Sequence, residues 1–224
     1  MTIDYAQARA KMVDCQIRTM DVTQHAVLAA FSEVPREAFV PAKFVQLAYI
    51  DDDLLVKEGK DGAPDRFMME AGQHARLVQL AEITPNDVVL EIGCATGYGA
   101  AILSRLAGSV VALESDPELA EEASAKLAEL GFDNVAVVQG DLAAGYQDEA
   151  PYDAIIFSGA VEVFPQAILT QLRDGGRLVV VEGTGNAARA KLYIREGEFT
   201  AQRTVFNSAV KPLPGFSKAP EFVF

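Results

Sequence analysis

Cysteine, histidine and tryptophan are nearly missing from this sequence. Its 224 residues hold two Cys, two His and no Trp. Cys15 and Cys94 lie far apart with no CxxC spacing, so a disulfide framework and a zinc site are both excluded as organising features. His25 and His74 have no partner nearby in the chain, and satisfied structural histidines are expected, with no metal site. Positive charge is also short, with 19 Lys and Arg against 32 Asp and Glu and a net charge of -13. Nucleic-acid and anionic-membrane partners depend on basic surfaces, so neither is expected. No apolar run reaches membrane-spanning length, and MTIDYAQARAKMVD lacks a signal-peptide core, which predicts a cytoplasmic protein.

Half the residues are hydrophobic, an ordinary proportion for a folded chain of this size. The pattern predicts one domain over 1–224, with a helical segment and loop over 1–82, a βα core over 83–183 and a hairpin with tail over 184–224. At the start, Ala6 to Arg18 reads as a helix. Asp21-Val-Thr-Gln24 has capping-box spacing ahead of HAVLAAFSEV, and Pro35 and Pro41 punctuate short helical pieces. DDDLLVKEGKDGAPDRF reads as a polar loop, its Asp51, Asp52 and Asp53 a solvated turn. Met68 to Glu82 reads as a helix.

Strands and helices then alternate. Val88 to Ile92, Ser109 to Glu114, Val135 to Gln139, Tyr152 to Phe157 and Arg177 to Glu182 read as strands. Tyr98 to Leu106, Pro117 to Leu130 and Phe164 to Leu172 read as helices, the last closed by Gly175-Gly176. Continuous apolar strands in short βα units predict a doubly wound, mostly parallel α/β sheet covered on both faces. AKLYIREGEFTAQRTV predicts an antiparallel hairpin turning at Glu196-Gly197.

In such a sheet the ligand sits beyond the carboxyl ends of the strands. The first turn there is Gly93-Cys94-Ala95-Thr96-Gly97-Tyr98-Gly99. Its glycines do not match the G-x-G-x-x-G of dinucleotide folds. Glu114, 21 positions after Gly93, suits the two hydroxyls of a ribose. Gly140-Asp141 follows the next strand, where a carboxylate reaches an adenine amino group. Glu91 ends the first strand, beside a cationic ligand group. There is no Arg for a 2′-phosphate at these strand ends and no GK[ST] for a triphosphate. A nucleoside that is cationic and lacks phosphate fits best, and S-adenosylmethionine is such a molecule.

LEIGCATGY resembles the first motif of class I methyltransferases. More narrowly, the chain resembles the protein-L-isoaspartate O-methyltransferase family along nearly its whole length. MVDCQIR, VPREAFVP, YDAIIFSGA, PQAILTQLRDGGRLVVVEG and VKPLPGF carry that resemblance. It implies a seven-stranded, Rossmann-like sheet with an antiparallel hairpin at one edge. The implied cofactor-binding set is Glu91, Gly93, Cys94, Ala95, Gly97, Tyr98, Glu114, Ser115, Gly140, Asp141 and Leu142. Substrate-side candidates are Phe67, Met69, Ala71, Ser158 and Glu162.

Three departures stand out. Ala95 replaces the family's middle glycine, the loop after the fourth strand is GAVEVFP, and Phe67-Met68-Met69-Glu70-Ala71 stands where the family has Thr-Ile-Ser-x-Pro. A thioether at Met69 cannot donate a hydrogen bond, so poor or absent methylation of isoaspartyl peptides is expected, with cofactor binding intact. A carboxylate acceptor is already ionised at neutral pH and needs no base. A hydroxyl or amine acceptor, such as a small molecule, would need one, with Glu70, His74, Glu162 and Asp53 as candidates by position. A module that binds the cofactor without turnover is the third reading. From Gly183 onward six Lys or Arg face three Glu, a relatively basic tail suited to an acidic peptide.

Overall fold

The computed structural model describes residues 3–60 and 63–218. Seven strands form one sheet: β3 (Val88–Ile92), β4 (Ser109–Glu114), β5 (Val135–Gln139), β6 (Tyr152–Val161), β7 (Leu172–Glu182), β8 (Arg189–Glu196) and β9 (Phe199–Asn207). Their order is β5-β4-β3-β6-β7-β8-β9. The first five pair in parallel, and β8 and β9 add antiparallel at one edge. This is the expected mostly parallel sheet with its terminal hairpin.

Successive side chains of the central strands point to opposite faces. Val89, Ala112, Ala154, Ile156 and Val179 join one core, while Leu90, Ile92, Leu113, Ile155, Phe157 and Leu178 join the other. That two-sided burial is why these strands read as unbroken apolar runs. The first core is roofed by α2 (His25–Glu33), α3 (Ala71–Leu80), α4 (Tyr98–Ser104) and α5 (Pro117–Glu129), with α1 (Tyr5–Met12) at its margin. The second is roofed by Tyr146, Ile168, Leu169, Leu213 and Phe216.

The structure corrects several local expectations. Asp21 does not cap α2: it closes the preceding 3₁₀ turn in the left-handed region, at φ 61. The free N–H groups of Thr23 and Gln24 go instead to the Gln79 side chain, at 2.7 and 3.0 Å. The polar loop contains a hairpin, with β1 (Leu54–Lys57) antiparallel to β2 (Arg66–Met68). Leu54, Val56 and Met68 turn inward in alternation, a signal masked by the flanking charges. Because β2 claims Met68, α3 starts only at Ala71. The helix expected over Phe164 to Leu172 is a 3₁₀ stretch, Gln166–Gln171, and Gly175-Gly176 lies inside β7. No helix among the described residues is long and apolar enough to cross a membrane.

The order of strands reverses at β3, which has β4 on one side and β6 on the other. The chain leaves β3 in one direction and returns through β6 in the other, opening a crevice at their carboxyl ends. Gly93 and Ser158 face each other across it.

Candidate active site

The turn after β3 is built on left-handed backbone at Gly93, Ala95 and Gly97, with φ of 84°, 49° and 92°. Ala95 is the one residue of the three with a Cβ, and left-handed backbone costs an alanine roughly 1–2 kcal/mol. Its N–H nevertheless has a partner, Oε2 of Glu114, at 2.8 Å.

Opposite this turn β6 carries an irregularity. Three residues, Phe157 to Gly159, stand against the single Val180 of β7. Extra residues of this kind re-aim a side chain, and here Ser158 turns into the crevice. Gly159 has no room for a side chain, since a Cβ would stand 2.9 Å from the Lys211 carbonyl oxygen.

Ser158 donates its hydroxyl hydrogen to Oε1 of Glu91. Glu91 is fully buried, and its other oxygen, Oε2, has no hydrogen-bond partner among the described residues. Burial, with a smaller push from the Glu114 charge and against the Ser158 bond, raises this carboxyl to about 7. The helix α4 passes so close that a Cβ on Gly99 would stand 1.9 Å from Glu91 Oε1.

Two more polar atoms without partners among the described residues belong to residues lining this cleft, His74 Nε2 and Thr96 Oγ1, while the Tyr98 hydroxyl lies against the buried Arg36 guanidinium. Buried polar atoms in native proteins are nearly always satisfied. Three orphans among the residues lining one cleft mark a place built for a polar ligand. Its remaining wall is Phe67, Met68, Met69, Gly93, Cys94, Ala95, Gly99 and Ser158. Burial, reinforced by the Arg36 charge, lowers His74 to about 3, so its imidazole is neutral and a poor base. Burial raises the Cys94 thiol well above its ordinary range, which removes it as a nucleophile.

Glu114 ends β4 as expected, but its carboxylate is already occupied. Arg66 of β2 grips both oxygens, and the Ser115 and Asp116 N–H groups bond to Oε1 at 2.8 and 3.0 Å. Burial alone would raise this carboxyl; Arg66 and the backbone donors outweigh it and hold it below its usual range. Any ligand that hydrogen-bonds to Glu114 therefore competes with Arg66. No local pattern in the sequence points to Arg66, because 48 positions separate the pair and only the β1–β2 hairpin brings them together.

Beside the cleft lies a second pocket. Phe67, Met69 and Ser158 line both, and Asp53, Arg66, Gly159, Val210, Lys211, Pro212 and Leu213 complete it. Arg36, from the VPREAFVP segment, is wholly buried beneath and holds the Met69 carbonyl at 2.8 Å and the Ala48 carbonyl at 2.8 Å. Its guanidinium lies 4.8 Å from the centre of the Tyr98 ring.

Not every expected residue meets here. Glu91, Gly93, Cys94, Ala95 and Tyr98 line the cleft, as do Phe67, Met69 and Ser158. Gly97 shapes the turn, and Ser115 serves Glu114. Asp141 is exposed and Gly140 partly buried at the end of β5, and Leu142 is buried in the second core, none of them on the cleft wall. Ala71 is fully buried at the start of α3 and reaches neither pocket. Glu162 is exposed and accepts the Lys218 N–H at 2.8 Å, outside both pockets. Among the possible bases, Asp53 lines the second pocket, where it accepts the Glu70 N–H at 2.9 Å.

A parallel sheet with its cleft at the reversal of strand order, a glycine turn after the first strand and acids at two strand ends define a class I methyltransferase. The family model for Protein-L-isoaspartate(D-aspartate) O-methyltransferase matches residues 7–212. The chain belongs to that family. It is 38% identical over 200 residues to a protein-L-isoaspartate O-methyltransferase of Koribacter versatilis, covering 89% of this chain and 87% of that protein. One from Methanoculleus marisnigri is 40% identical over 190 residues, covering 84% of each. A solved protein-L-isoaspartate O-methyltransferase superimposes with a TM-score of 0.81 at 27% identity, over 92% of this chain and 66% of that one.

Proposed function

We propose that this protein transfers a methyl group from S-adenosylmethionine to the free α-carboxylate of isoaspartyl residues in proteins and peptides. The observation that carries the reading is the unpartnered Oε2 of Glu91, a buried carboxylate oxygen beside the glycine turn. A buried acid without a cation is costly, and a ligand ammonium supplies the missing partner. Glu91 would hold that ammonium, Glu114 the ribose once Arg66 yields, and Asp141 the adenine edge. When bound, the sulfonium supplies an electrophilic methyl group.

The chain's own part is to hold and dry the acceptor. A carboxylate oxygen attacks the methyl carbon as the carbon–sulfur bond breaks, and the electron pair leaves with the now neutral sulfur. No proton moves, so no general base is required. The cleft matches that demand, because His74 is held near 3 and Cys94 is kept protonated. Phe67 and Met69 make the acceptor side apolar, which strips water from the carboxylate and raises its reactivity. The methyl ester product cyclises to a succinimide without further help, as the nitrogen of the amide formed by the side-chain carboxyl attacks the ester carbonyl and methanol leaves.

The acidic surface, with net charge -13, favours a peptide acceptor over a nucleic acid. The unpaired Cys15 and Cys94 fit a reducing, cytoplasmic setting. The test is labelled methyl transfer to an isoaspartyl peptide beside its normal aspartyl isomer. Base-labile label on the isoaspartyl peptide alone is expected; equal label on both, or on neither, overturns the reading.

A further inference from the structure

The isoaspartyl acceptor brings a negative charge to a protein that is itself strongly negative, so some cation must receive it. Two cations line the second pocket, Arg66 and Lys211. Arg66 is committed to both oxygens of Glu114. Arg36 is wholly buried, with Nε and Nη2 on two backbone carbonyls and its remaining face against the Tyr98 ring, and it lines neither pocket. Lys211 is exposed and makes no ion pair among the described residues. Its ammonium sits 5.2 Å from the centre of the Phe67 ring. Phe67 lines both pockets, so this cation stands beside the passage between cofactor cleft and acceptor pocket.

The backbone of Lys211 is firmly placed. Its carbonyl accepts the Ala160 N–H at 2.9 Å, and Leu213 returns a bond to the Ala160 carbonyl at 2.8 Å. A bridge between Ala160 and Pro212 completes the contact. Ala160 is two residues from Ser158, so the irregular part of β6 that aims Ser158 also sets the position of Lys211. The one acid on the same pocket wall is Asp53, whose carboxyl burial raises, with the Glu70 N–H and the Lys211 charge pulling the other way. No hydroxyl stands at position 69 to hold a carboxylate, and the apolar wall of Phe67 and Met69 leaves that task to a charge at the rim.

We propose that the Lys211 ammonium binds the acceptor carboxylate and sets the preference for a negatively charged acceptor. The proposal rests on the isoaspartyl methyl-transfer reading. The ammonium forms a charge-assisted hydrogen bond to one carboxylate oxygen and leaves the other free to take the methyl group. It is a binding contact and exchanges no proton with the acceptor.

Kinetics on an isoaspartyl peptide with the wild type, Lys211→Met and Lys211→Arg test it, alongside calorimetry with S-adenosylhomocysteine and a thermal melt for each. Methionine keeps the contact with Phe67 and removes the charge. Its KM for the peptide is expected to rise about tenfold or more, the range of a charge-assisted hydrogen bond at a partly exposed site. The kcat, S-adenosylhomocysteine affinity and melting temperature should stay near wild type. Arginine should restore the wild-type KM to within about threefold, since it keeps the charge. Wild-type KM should climb with salt, and that of the methionine variant should not. An unchanged KM in Lys211→Met, with wild type active, overturns the proposal and leaves the isoaspartyl reading intact. Equal losses in kcat and cofactor affinity would make Lys211 a structural residue and also overturn it. A wild type that binds S-adenosylhomocysteine but leaves the peptide unmethylated overturns the reading and this proposal together.

Discussion

Replacing Glu91 with Gln tests the cofactor assignment on the feature that makes the residue unusual. Its carboxyl ordinarily titrates at 4.5, and burial raises it to about 7. A tenfold change in proton affinity corresponds to about 1.4 kcal/mol, so the ionised form costs the ligand-free fold about 3 kcal/mol. Below the unfolded value both states carry the proton and there is no penalty. As pH rises from 4.5 to about 7 the unfolded chain ionises while the folded one retains its proton, so stability falls. Above that range the penalty is constant. Glu91→Gln, nearly the same size, removes it. The ligand-free variant should be more stable than wild type by up to about 3 kcal/mol near pH 8 and indistinguishable near pH 4. Binding should move the opposite way. A ligand ammonium requires the carboxylate, so wild-type affinity for S-adenosylhomocysteine should rise nearly tenfold per pH unit up to about pH 7 and then level. The variant should bind more weakly at neutral pH, with a flat profile. Calorimetry across this range, in buffers of differing ionisation heat, reads both affinity and proton release. A flat wild-type profile, or a glutamine variant that binds as well as wild type at neutral pH, would refute the reasoning.

Three further outcomes follow from the same geometry. Arg66→Gln vacates Glu114, so S-adenosylhomocysteine should bind up to about tenfold tighter while the melting temperature drops, the loss tempered by the backbone donors that still hold the carboxylate; weaker binding in a folded variant would show that Arg66 does not compete with the ribose. Met69→Ser restores a donor at the junction of the two pockets and should lower the peptide KM roughly tenfold with cofactor affinity unchanged; an unaltered KM in steady-state assays would mean that the serine position no longer reaches the acceptor. Ala95→Gly relieves left-handed strain partly offset by a freer unfolded chain, a net gain of about 0.5–1 kcal/mol in denaturant unfolding; a loss would show that the Ala95 methyl, 5% exposed on the cleft wall, packs better than its backbone suffers.

What the sequence by itself determined is the sheet and the place of the site. The bounds of β3, β4 and β5 were legible to the residue, because strands buried on both faces carry an apolar signal that is local and unbroken. The glycine turn and Glu114 were legible for the same reason: a strand end, a sharp turn and an acid at fixed spacing are neighbours along the chain. The hairpin at Glu196-Gly197 was legible from its turn chemistry. Other features depended on contacts between distant segments. Gln79 took the N–H groups that the capping box would have served, and no local pattern at Asp21 could announce a side chain 55 or more positions away. The β1–β2 hairpin hid behind charges whose purpose, Arg66 on Glu114 and Lys57 on Asp116, is visible only when the hairpin lies over the end of β4. Tertiary structure alone decided which polar atoms would be left without partners. The sequence singled out Glu91 by its strand end, but only the fold shows that Glu91 Oε2, His74 Nε2 and Thr96 Oγ1 are buried together around one cleft without partners among the described residues.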